Sequence, residues 1–167
     1  MYRATIVLIA ALVTVPLAAA KTSFVIVGDV SIGGFPSNGT VPQAIATFGR
    51  PAERVFFGAD SCRLTWPALG VTMETWYPAG DLDPCGPNGR HRLTTVTDRR
   101  WKTSKGLAIR DPLRKLRALY PKASRQAPGK WQLTTRRFAG LPLPGLEARL
   151  KDGRIVSFTV YAPRSPF

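Results

Sequence analysis

The same order of segments occurs twice in this chain, and this order constrains the fold more than any other feature. Each half has a glycine-containing loop, a short helix that ends near a proline, and a run of strands. The match is one of pattern and not of identity, so a chance similarity is the alternative. A single α-β-β-β unit cannot bury its apolar face alone. The order therefore predicts an α+β fold in which two related α-β-β-β units share a mainly antiparallel sheet.

The length of the chain sets the number of domains. A chain of 167 residues, from which a leader is expected to be removed, is long enough for one sizeable core and too short for two ordinary domains. Residues 21–167 are predicted to form this single domain. Repeat one covers about 21–98 and repeat two about 99–167. A hydrophobic content of 44% is typical of a folded domain and not of a disordered chain.

Capping residues and prolines place one short helix in each repeat. Thr40 can cap the first helix, and Gly49 ends it. Asp111 and Pro112 are favourable residues at the start of the second helix, and Pro121 ends it.

Alternating apolar residues predict the strands. In the first half, after a first strand within residues 23–32, the predicted strands are RVFFG from Arg54, CRLTW from Cys62, GVTMETWY from Gly70 and RLTTVTD from Arg92. In the second half they are WQLTTRR from Trp131 and the two halves of LEARLKDGRIVSFTVY from Leu146. Asp152-Gly153 predicts a hairpin turn between the last two strands. Val156, Phe158 and Val160 are predicted to face the core.

The first twenty residues have the three parts of a secretory signal peptide. Arg3 supplies a positive charge, residues 4–15 form a nearly continuous apolar run, and Ala18 and Ala20 are the small residues that a signal peptidase accepts. The apolar run is shorter than the roughly 20 residues of a membrane span. Residues 1–20 are therefore predicted to be removed, which leaves a secreted protein, extracellular or in the cell envelope, without stable membrane insertion. An uncleaved anchor or a buried N-terminal helix is the alternative.

The chain has two cysteines, Cys62 and Cys85, and an even pair in an exported protein is typical of a disulfide. A metal site would need further ligands, and His91 is the single histidine in the sequence. A redox pair would favour the Cys-x-x-Cys spacing, which the sequence lacks. The cysteines therefore predict a structural disulfide that ties the loop at residues 81–89 to the strand of Cys62. No metal ion and no cofactor are predicted.

Positive charge is concentrated in one segment. The chain has a net charge of +14, and residues 99–137 contain thirteen lysines and arginines with Asp111 as the one acid. Outside the cytoplasm, the anions that such a segment could attract are cell-wall polymers, lipid headgroups and acidic proteins. No recognition motif for nucleic acid accompanies the charge, so nucleic acid is not an expected partner. A solvated basic face that serves only solubility is the alternative.

Aromatic residues beside cations are the candidate binding residues. Tyrosine, tryptophan and arginine dominate the hot spots of protein interfaces. The basic and aromatic stretch at residues 99–102 could hold an anion and stack on a ring, and Trp76-Tyr77 could do similar work at the end of a strand. The alternative is that the aromatic residues belong to the core. The predicted binding residues are Arg99, Arg100, Trp101, Lys102, Trp76, Tyr77, Arg136 and Arg137.

Catalytic patterns are weak in this sequence. Nucleophilic hydrolysis needs a serine or cysteine with a base, and His91, beside a predicted loop, is expected to be a solvated polar residue. Asp60 and Glu74 are the best candidates for the paired carboxylates of a glycan-acting enzyme. Asp81 and Asp83 are spaced as in the start of a calcium loop, but turn formation explains them better.

Two stretches resemble known families. The loop, the short helix, FGRP at residues 48–51 and the strands that follow resemble the repeat of the β-lactamase inhibitor protein family, and the outer-membrane assembly lipoproteins of the SmpA/OmlA type have a similar unit. CRLTWPALGV at residues 62–71 and the segment at 99–121 resemble a group of exported bacterial proteins with no known activity. The first resemblance implies a sheet surface that binds another protein, and it transfers no functional residues.

These observations predict an exported, monomeric, non-enzymatic binding protein. Its expected partner is a protein or an anionic cell-envelope polymer, engaged through a basic surface that carries aromatic residues. One alternative is an enzyme that acts on cell-wall glycan through scattered carboxylates. Another is an inhibitor of a secreted enzyme, which the resemblance implies.

Overall fold

The computed structural model describes residues 23–58, 60–77, 83–138 and 140–163. The predicted signal peptide, residues 1–20, lies outside the described residues. None of the helices in the described part of the chain is long and apolar enough to cross a bilayer.

Twelve strands and two α-helices are described, and the α+β class is confirmed. In chain order they are β1 (Val25–Val27), β2 (Ser31–Ile32), β3 (Phe35–Pro36), α1 (Val41–Phe48), β4 (Glu53–Phe56), β5 (Ser61–Trp66), β6 (Val71–Trp76), β7 (Arg90–Val96), β8 (Lys102–Thr103), α2 (Leu113–Leu119), β9 (Ser124–Ala127), β10 (Lys130–Phe138), β11 (Leu141–Lys151) and β12 (Arg154–Tyr161). A single 3-10 turn, Pro67–Leu69, joins β5 to β6.

The larger sheet has eight strands in the order β4-β5-β6-β7-β12-β11-β10-β9. Every neighbouring pair in it is antiparallel. Strands β4 to β7 follow α1 in the chain, and β9 to β12 follow α2. The two units meet at the centre, where Thr95 of β7 lies opposite Thr159 of β12. Two α-β units therefore share one antiparallel sheet, and each contributes four strands. The four strands of the first unit were predicted, whereas β9 of the second unit was not.

The two helices begin at equivalent places in the two units. Thr40, just before α1, forms a bridge with Arg90, the first residue of β7. Pro112, just before α2, forms a bridge with Arg154, the first residue of β12. The start of each helix is thus tied to the last strand of its own unit.

A smaller sheet joins the beginnings of the two units. Its order is β3-β2-β1-β8, and β1 runs parallel to β8 with Ile26 opposite Thr103. The first strand predicted within residues 23–32, with a break or bulge at Gly28, is a hairpin of β1 and β2 that turns after Val27. Gly28 has a φ of 53° in the turn between them, a conformation that glycine adopts without strain.

One face of the large sheet forms the core with the helices and the smaller sheet. Leu64 lies opposite Met73 and Val96 opposite Phe158, and all four side chains are buried. Ala44 of α1 and Leu116 of α2 are also fully buried in this cluster. Burial of each large apolar side chain contributes about 1.5 to 3 kcal/mol, so this layer supplies the main driving force for folding.

The prediction for the last strand was wrong at Val156. Its side chain is 37% exposed, whereas Ile155 and Phe158 are fully buried. The pairing of β11 with β12 shifts between Arg149 and Leu150, so that Leu150 lies opposite Ile155. This β-bulge turns Ile155 into the core and leaves Val156 at the surface.

The predicted disulfide is confirmed. Cys62 of β5 and Cys85 in the loop before β7 are bonded, with Cα atoms 5.3 Å apart. The Thr75 hydroxyl donates to the Pro84 carbonyl (2.6 Å). The Cys85 backbone N–H donates to an Asp83 carboxylate oxygen (2.7 Å). Covalent and hydrogen bonds thus hold the described part of this loop against the sheet.

Candidate binding surface

The predicted binding residues do not form one site. The Arg100 guanidinium donates to the carbonyl of Ala68 (2.5 Å), which precedes β6, and forms an ion pair with Asp98 (2.8 Å). Trp76 is the last residue of β6 and Tyr77 follows it. The segment of Arg100 and the Trp76–Tyr77 pair therefore lie at opposite ends of β6.

Trp101 is a core residue, so its prediction as a binding residue was wrong. Its side chain is 0% exposed, and its ring packs edge-on against Phe24 with ring centroids 5.1 Å apart. The indole N–H donates to the Leu69 carbonyl (2.8 Å). Its neighbours Arg99 and Lys102 are exposed at the surface.

Arg136 is also a structural residue, which corrects its prediction as a binding residue. Its side chain is 10% exposed, and Nε lies 3.3 Å from an Asp29 carboxylate oxygen. The guanidinium also donates to the Tyr161 carbonyl. Burial lowers the pKa of Arg136, although the Asp29 charge opposes this shift. The pair ties the β1–β2 hairpin to the large sheet, whereas Arg137 is exposed.

Trp76 lines a cleft of about 620 Å³ together with Arg90, His91 and Ala162. Its side chain and that of Tyr77 are half-buried. The indole nitrogen of Trp76 is buried and has no hydrogen-bond partner among the described residues.

His91 was predicted to be a solvated loop residue, and this prediction was wrong. It lies in β7 and is 2% exposed. Nδ1 lies 2.6 Å from the Ser37 carbonyl, which fixes the proton on Nδ1, and Nε2 lies 2.9 Å from the Thr94 hydroxyl. Burial lowers the pKa of His91 from 6.5 to about 4. Because both ring nitrogens are engaged in the core, His91 is not available as a general base.

The buried His91 makes the stability of the protein depend on pH. An unfolded chain takes up a proton at His91 below pH 6.5, whereas the folded protein resists protonation until about pH 4. This contribution to stability is therefore complete at neutral pH and is lost as the pH falls through this window. We expect His91 to account for a loss of about 2 to 3 kcal/mol between pH 7.5 and 4.5.

Urea unfolding at the two pH values measures this loss. The control is His91→Gln, which lowers the stability at neutral pH but removes the titrating group. The loss between pH 7.5 and 4.5 should therefore be smaller in the variant. Equal losses in the wild type and in His91→Gln would contradict the assignment of a neutral, buried ring.

The carboxylates considered for glycan hydrolysis have separate local partners. Glu74 forms an ion pair with Arg63 (3.1 Å), and Asp60 accepts a hydrogen bond from the Ser61 hydroxyl (2.9 Å). Within the described residues, no group of three or more histidine, cysteine, aspartate or glutamate side chains could hold a metal ion. Asp81 of the considered calcium loop lies outside the described residues.

The sheet face turned away from the helices carries a polar groove of about 390 Å³. Thr95 and Thr159 lie side by side at its wall, with hydroxyl oxygens 3.1 Å apart. The carboxylate of Glu147 is buried there and lies 3.1 Å from the Lys130 ammonium. It also accepts a hydrogen bond from the Tyr161 hydroxyl. Burial, followed by the contact with Glu147, raises the pKa of Tyr161. Lys130 and Glu147 thus form a pair, and the exposed Arg149 is a further cation in the lining of this groove.

Helix α2 and its neighbours carry the strongest concentration of exposed charge. Lys115 forms an ion pair with Asp111 (2.8 Å). Asp111 is the one acid in residues 99–137, so the acid of this basic segment is already paired. Six further cations around the helix are exposed, and we refer to them as the α2 basic surface: Lys105, Arg110, Arg114, Arg117, Lys122 and Arg125.

Aromatic rings position part of the α2 basic surface. The Lys105 ammonium lies 4.7 Å from the centroid of the Tyr120 ring, and the Arg117 guanidinium lies 5.3 Å from a ring centroid of Trp131. Cation–π contacts of this kind hold a charged group in place while leaving part of it in solvent. Aromatic residues thus support the basic surface from beneath, and Trp131 itself is buried.

A hollow of about 320 Å³ lies between α2 and the β9–β10 edge of the sheet. Its apolar lining comes from Leu113, Trp131 and Leu150, which are buried or half-buried. Arg117 and Arg125 also line it and are exposed, as is Asp152. The hollow therefore combines an apolar floor with a rim that has one net positive charge.

Strand β9, which borders this hollow, was not predicted from the sequence. The four residues SRQA contain no apolar alternation, and all four are exposed. The signal that could have revealed the strand is the Pro128-Gly129 pair, a turn dipeptide directly before the predicted strand at Trp131. Arg125 belongs to the basic segment noted in the sequence, but it was not among the predicted binding residues.

Comparisons with known proteins give no family assignment. No protein-family model matches this chain, and no curated protein matches it. Among solved structures, the chain is similar to an extracellular protein containing an SCP domain from Bacillus anthracis str. Ames. The TM-score is 0.48 at 8% identity, and the match covers 93% of this chain and 50% of that chain. This chain thus spans half the length of that protein.

Proposed function

We propose that this protein is an exported, non-enzymatic binding module that engages an anionic partner through the α2 basic surface. The observation that carries the proposal is the six exposed cations around one helix, in a segment whose one acid is paired with Lys115. Two of the six are held over aromatic rings. A protein or an anionic polymer of the cell envelope is the expected class of partner.

The density of the charge favours binding over a role in solubility alone. Charges within a Debye length, about 8 to 10 Å at physiological salt, add their potentials. Arg114 and Arg117, three positions apart on α2, satisfy this condition, and Lys105 lies against Tyr120 at the end of the same helix. Clusters of one sign also raise the rate of encounter with a partner of opposite charge.

Export is supported by two observations on the chain itself. The Cys62–Cys85 disulfide is of the kind that persists in oxidising compartments. Residues 1–20 have the composition of a signal peptide. Anionic polymers and lipid headgroups of the envelope are the partners that a basic protein meets after export.

The proposal is tested by co-sedimentation of the oxidised protein with cell envelopes over a series of salt concentrations. In the test variant, Arg114, Arg117 and Arg125 are all replaced by glutamine. The matched control carries the same three changes at Arg50, Arg54 and Arg90, which are exposed and lie in the first unit.

We expect the α2 variant to bind at least about tenfold more weakly at moderate salt, and the control variant to bind nearly as well as the wild type. Binding should weaken as salt rises, because exposed charges are screened. Equal losses in the two variants would show that only net charge matters and would overturn the assignment of a surface. An absence of binding at every salt concentration would overturn the envelope as partner.

A further inference from the structure

The β9 edge bears on what part of a partner this protein binds, and the inference drawn from it rests on the proposed function. We propose that an acidic, extended peptide segment of a partner protein pairs with β9 as an additional strand. Its acidic side chains would meet the α2 basic surface, and one apolar side chain would enter the hollow between α2 and β10.

Strand β9 is a free edge of the large sheet. It stands last in the strand order, and among the described residues β10 is its one neighbour in the sheet. All four of its side chains are exposed. The outer side of an edge strand carries backbone N–H and C=O groups that can pair with a further strand. Addition of a peptide strand to such an edge is a general mode of recognition, in which backbone bonds give affinity and side-chain pockets give specificity.

The charge beside this edge selects an acidic peptide. Arg125 lies in β9, Lys122 precedes it, and Arg117 faces the same hollow from α2. Asp152 is the acid that shares the lining of this hollow with the two arginines, and it leaves one positive charge in excess. A peptide with acidic side chains would therefore be attracted, and a basic peptide would be repelled.

The opposite edge of the same sheet provides an internal comparison. Strand β4 is also exposed along its whole length. It carries one acid, Glu53, and one base, Arg54, with Val55 and Phe56 exposed by 51% and 60%. Since β4 has no surplus charge, an acidic peptide is expected to bind at the β9 edge and not at the β4 edge.

The hollow supplies the site for an apolar side chain. Alternate side chains of a strand point to the same face, so one face of an added strand would be turned toward the hollow that Leu113, Trp131 and Leu150 line. A peptide in which every second residue is acidic or apolar, with polar residues between them, would thus turn its acidic and apolar groups to this face. The same peptide would keep its carboxylates close to Arg117 and Arg125.

The probe is a synthetic peptide of about eight residues, a length typical of one strand. Glutamates and one valine occupy alternate positions, so that they share one face, and threonines occupy the positions between them; we call it the glutamate–valine peptide. Its binding to the oxidised full-length protein is measured by fluorescence anisotropy at physiological salt. The key comparison is a peptide of identical sequence with N-methyl groups on alternate backbone amides. N-methylation removes backbone donors and leaves the charge unchanged. We expect the methylated peptide to bind at least about tenfold more weakly.

Single substitutions of arginine test at which edge of the sheet the peptide binds. Arg125→Gln and Arg117→Gln should each weaken binding of the glutamate–valine peptide several-fold. Arg54→Gln, at the opposite edge, is the matched control and should leave binding unchanged. Hydrogen exchange gives a readout that does not depend on charge, because peptide binding should protect backbone amides of Ser124–Ala127 and not those of Glu53–Phe56.

The outcomes separate this inference from the proposed function. Equal affinity of the two peptides, or protection at β4 and not at β9, would overturn strand pairing and leave an electrostatic binding surface intact. Failure of the glutamate–valine peptide to bind would also overturn the inference. Strong peptide binding in a protein that does not sediment with envelopes would support the inference and overturn the envelope as partner.

Discussion

Replacement of Trp101 by alanine should lower the free energy of unfolding by about 3 to 5 kcal/mol, the range for loss of a large buried aromatic side chain. Trp101 is fully buried, packs edge-on against Phe24 and donates its indole N–H to the Leu69 carbonyl. Its loss would open a cavity between the smaller sheet and the loop that precedes β6. Since small domains are stable by only about 5 to 15 kcal/mol, this loss is a large fraction of the total stability.

Urea unfolding followed by circular dichroism measures this effect without relying on tryptophan fluorescence. Trp101→Phe is the intermediate variant, because it keeps an aromatic ring in the site and removes only the N–H donor and part of the ring. It should cost about 1 to 3 kcal/mol, since the Leu69 carbonyl loses its buried partner. Arg99→Ala, two positions away and exposed, should change the stability by less than about 0.5 kcal/mol. A similarly small effect of Trp101→Ala would contradict its place in the core.

Loss of the Cys62–Cys85 disulfide should lower the free energy of unfolding by about 3 kcal/mol. The bond joins residues 23 positions apart, and the chain-entropy model gives this value for a loop of that length. The disulfide also holds the described part of the loop before β7 against β5. Reduction should therefore loosen this loop before it unfolds the sheet.

Unfolding of the oxidised protein is compared with unfolding in a thiol reductant. The double variant Cys62→Ala/Cys85→Ala separates the bond from the chemical effect of the reductant, because its stability should not respond to the reductant. Hydrogen exchange should show faster exchange at residues 83–89 in the reduced protein than in the oxidised one. If reduction changes the stability by less than about 1 kcal/mol, the loop is held by its hydrogen bonds and not by the covalent link.

Most secondary structure could be predicted because its signals are local. The cap at Thr40, the glycine at Gly49 and the proline at Pro121 mark helix ends whatever the rest of the chain does. Alternation in the segments of Cys62 and Gly70 likewise indicates half-buried strands from neighbouring residues alone. The strands that were missed, such as β9, are short, polar and exposed, and they form because a neighbouring strand offers its backbone.

The candidate site could be predicted only in part. The excess of charge in residues 99–137 is a property of the sequence, and part of this segment forms the α2 basic surface. The prediction of Trp101 and Arg136 as binding residues was wrong, because each side chain is buried by partners far away in the chain. Trp101 bonds to Leu69, 32 residues before it, and Arg136 bonds to Tyr161, 25 residues after it.

The sequence by itself determined the α+β class, the order of the two units, the disulfide and the net charge. Each of these follows from residue types at short spacing or from a simple count. Tertiary structure alone decided that His91 is buried and neutral, that β1 pairs with β8, and that exposed cations gather around α2 beside a free sheet edge. The physical reason is that burial and charge proximity depend on which distant strands pair, and that pairing minimises the exposed apolar area of the whole chain.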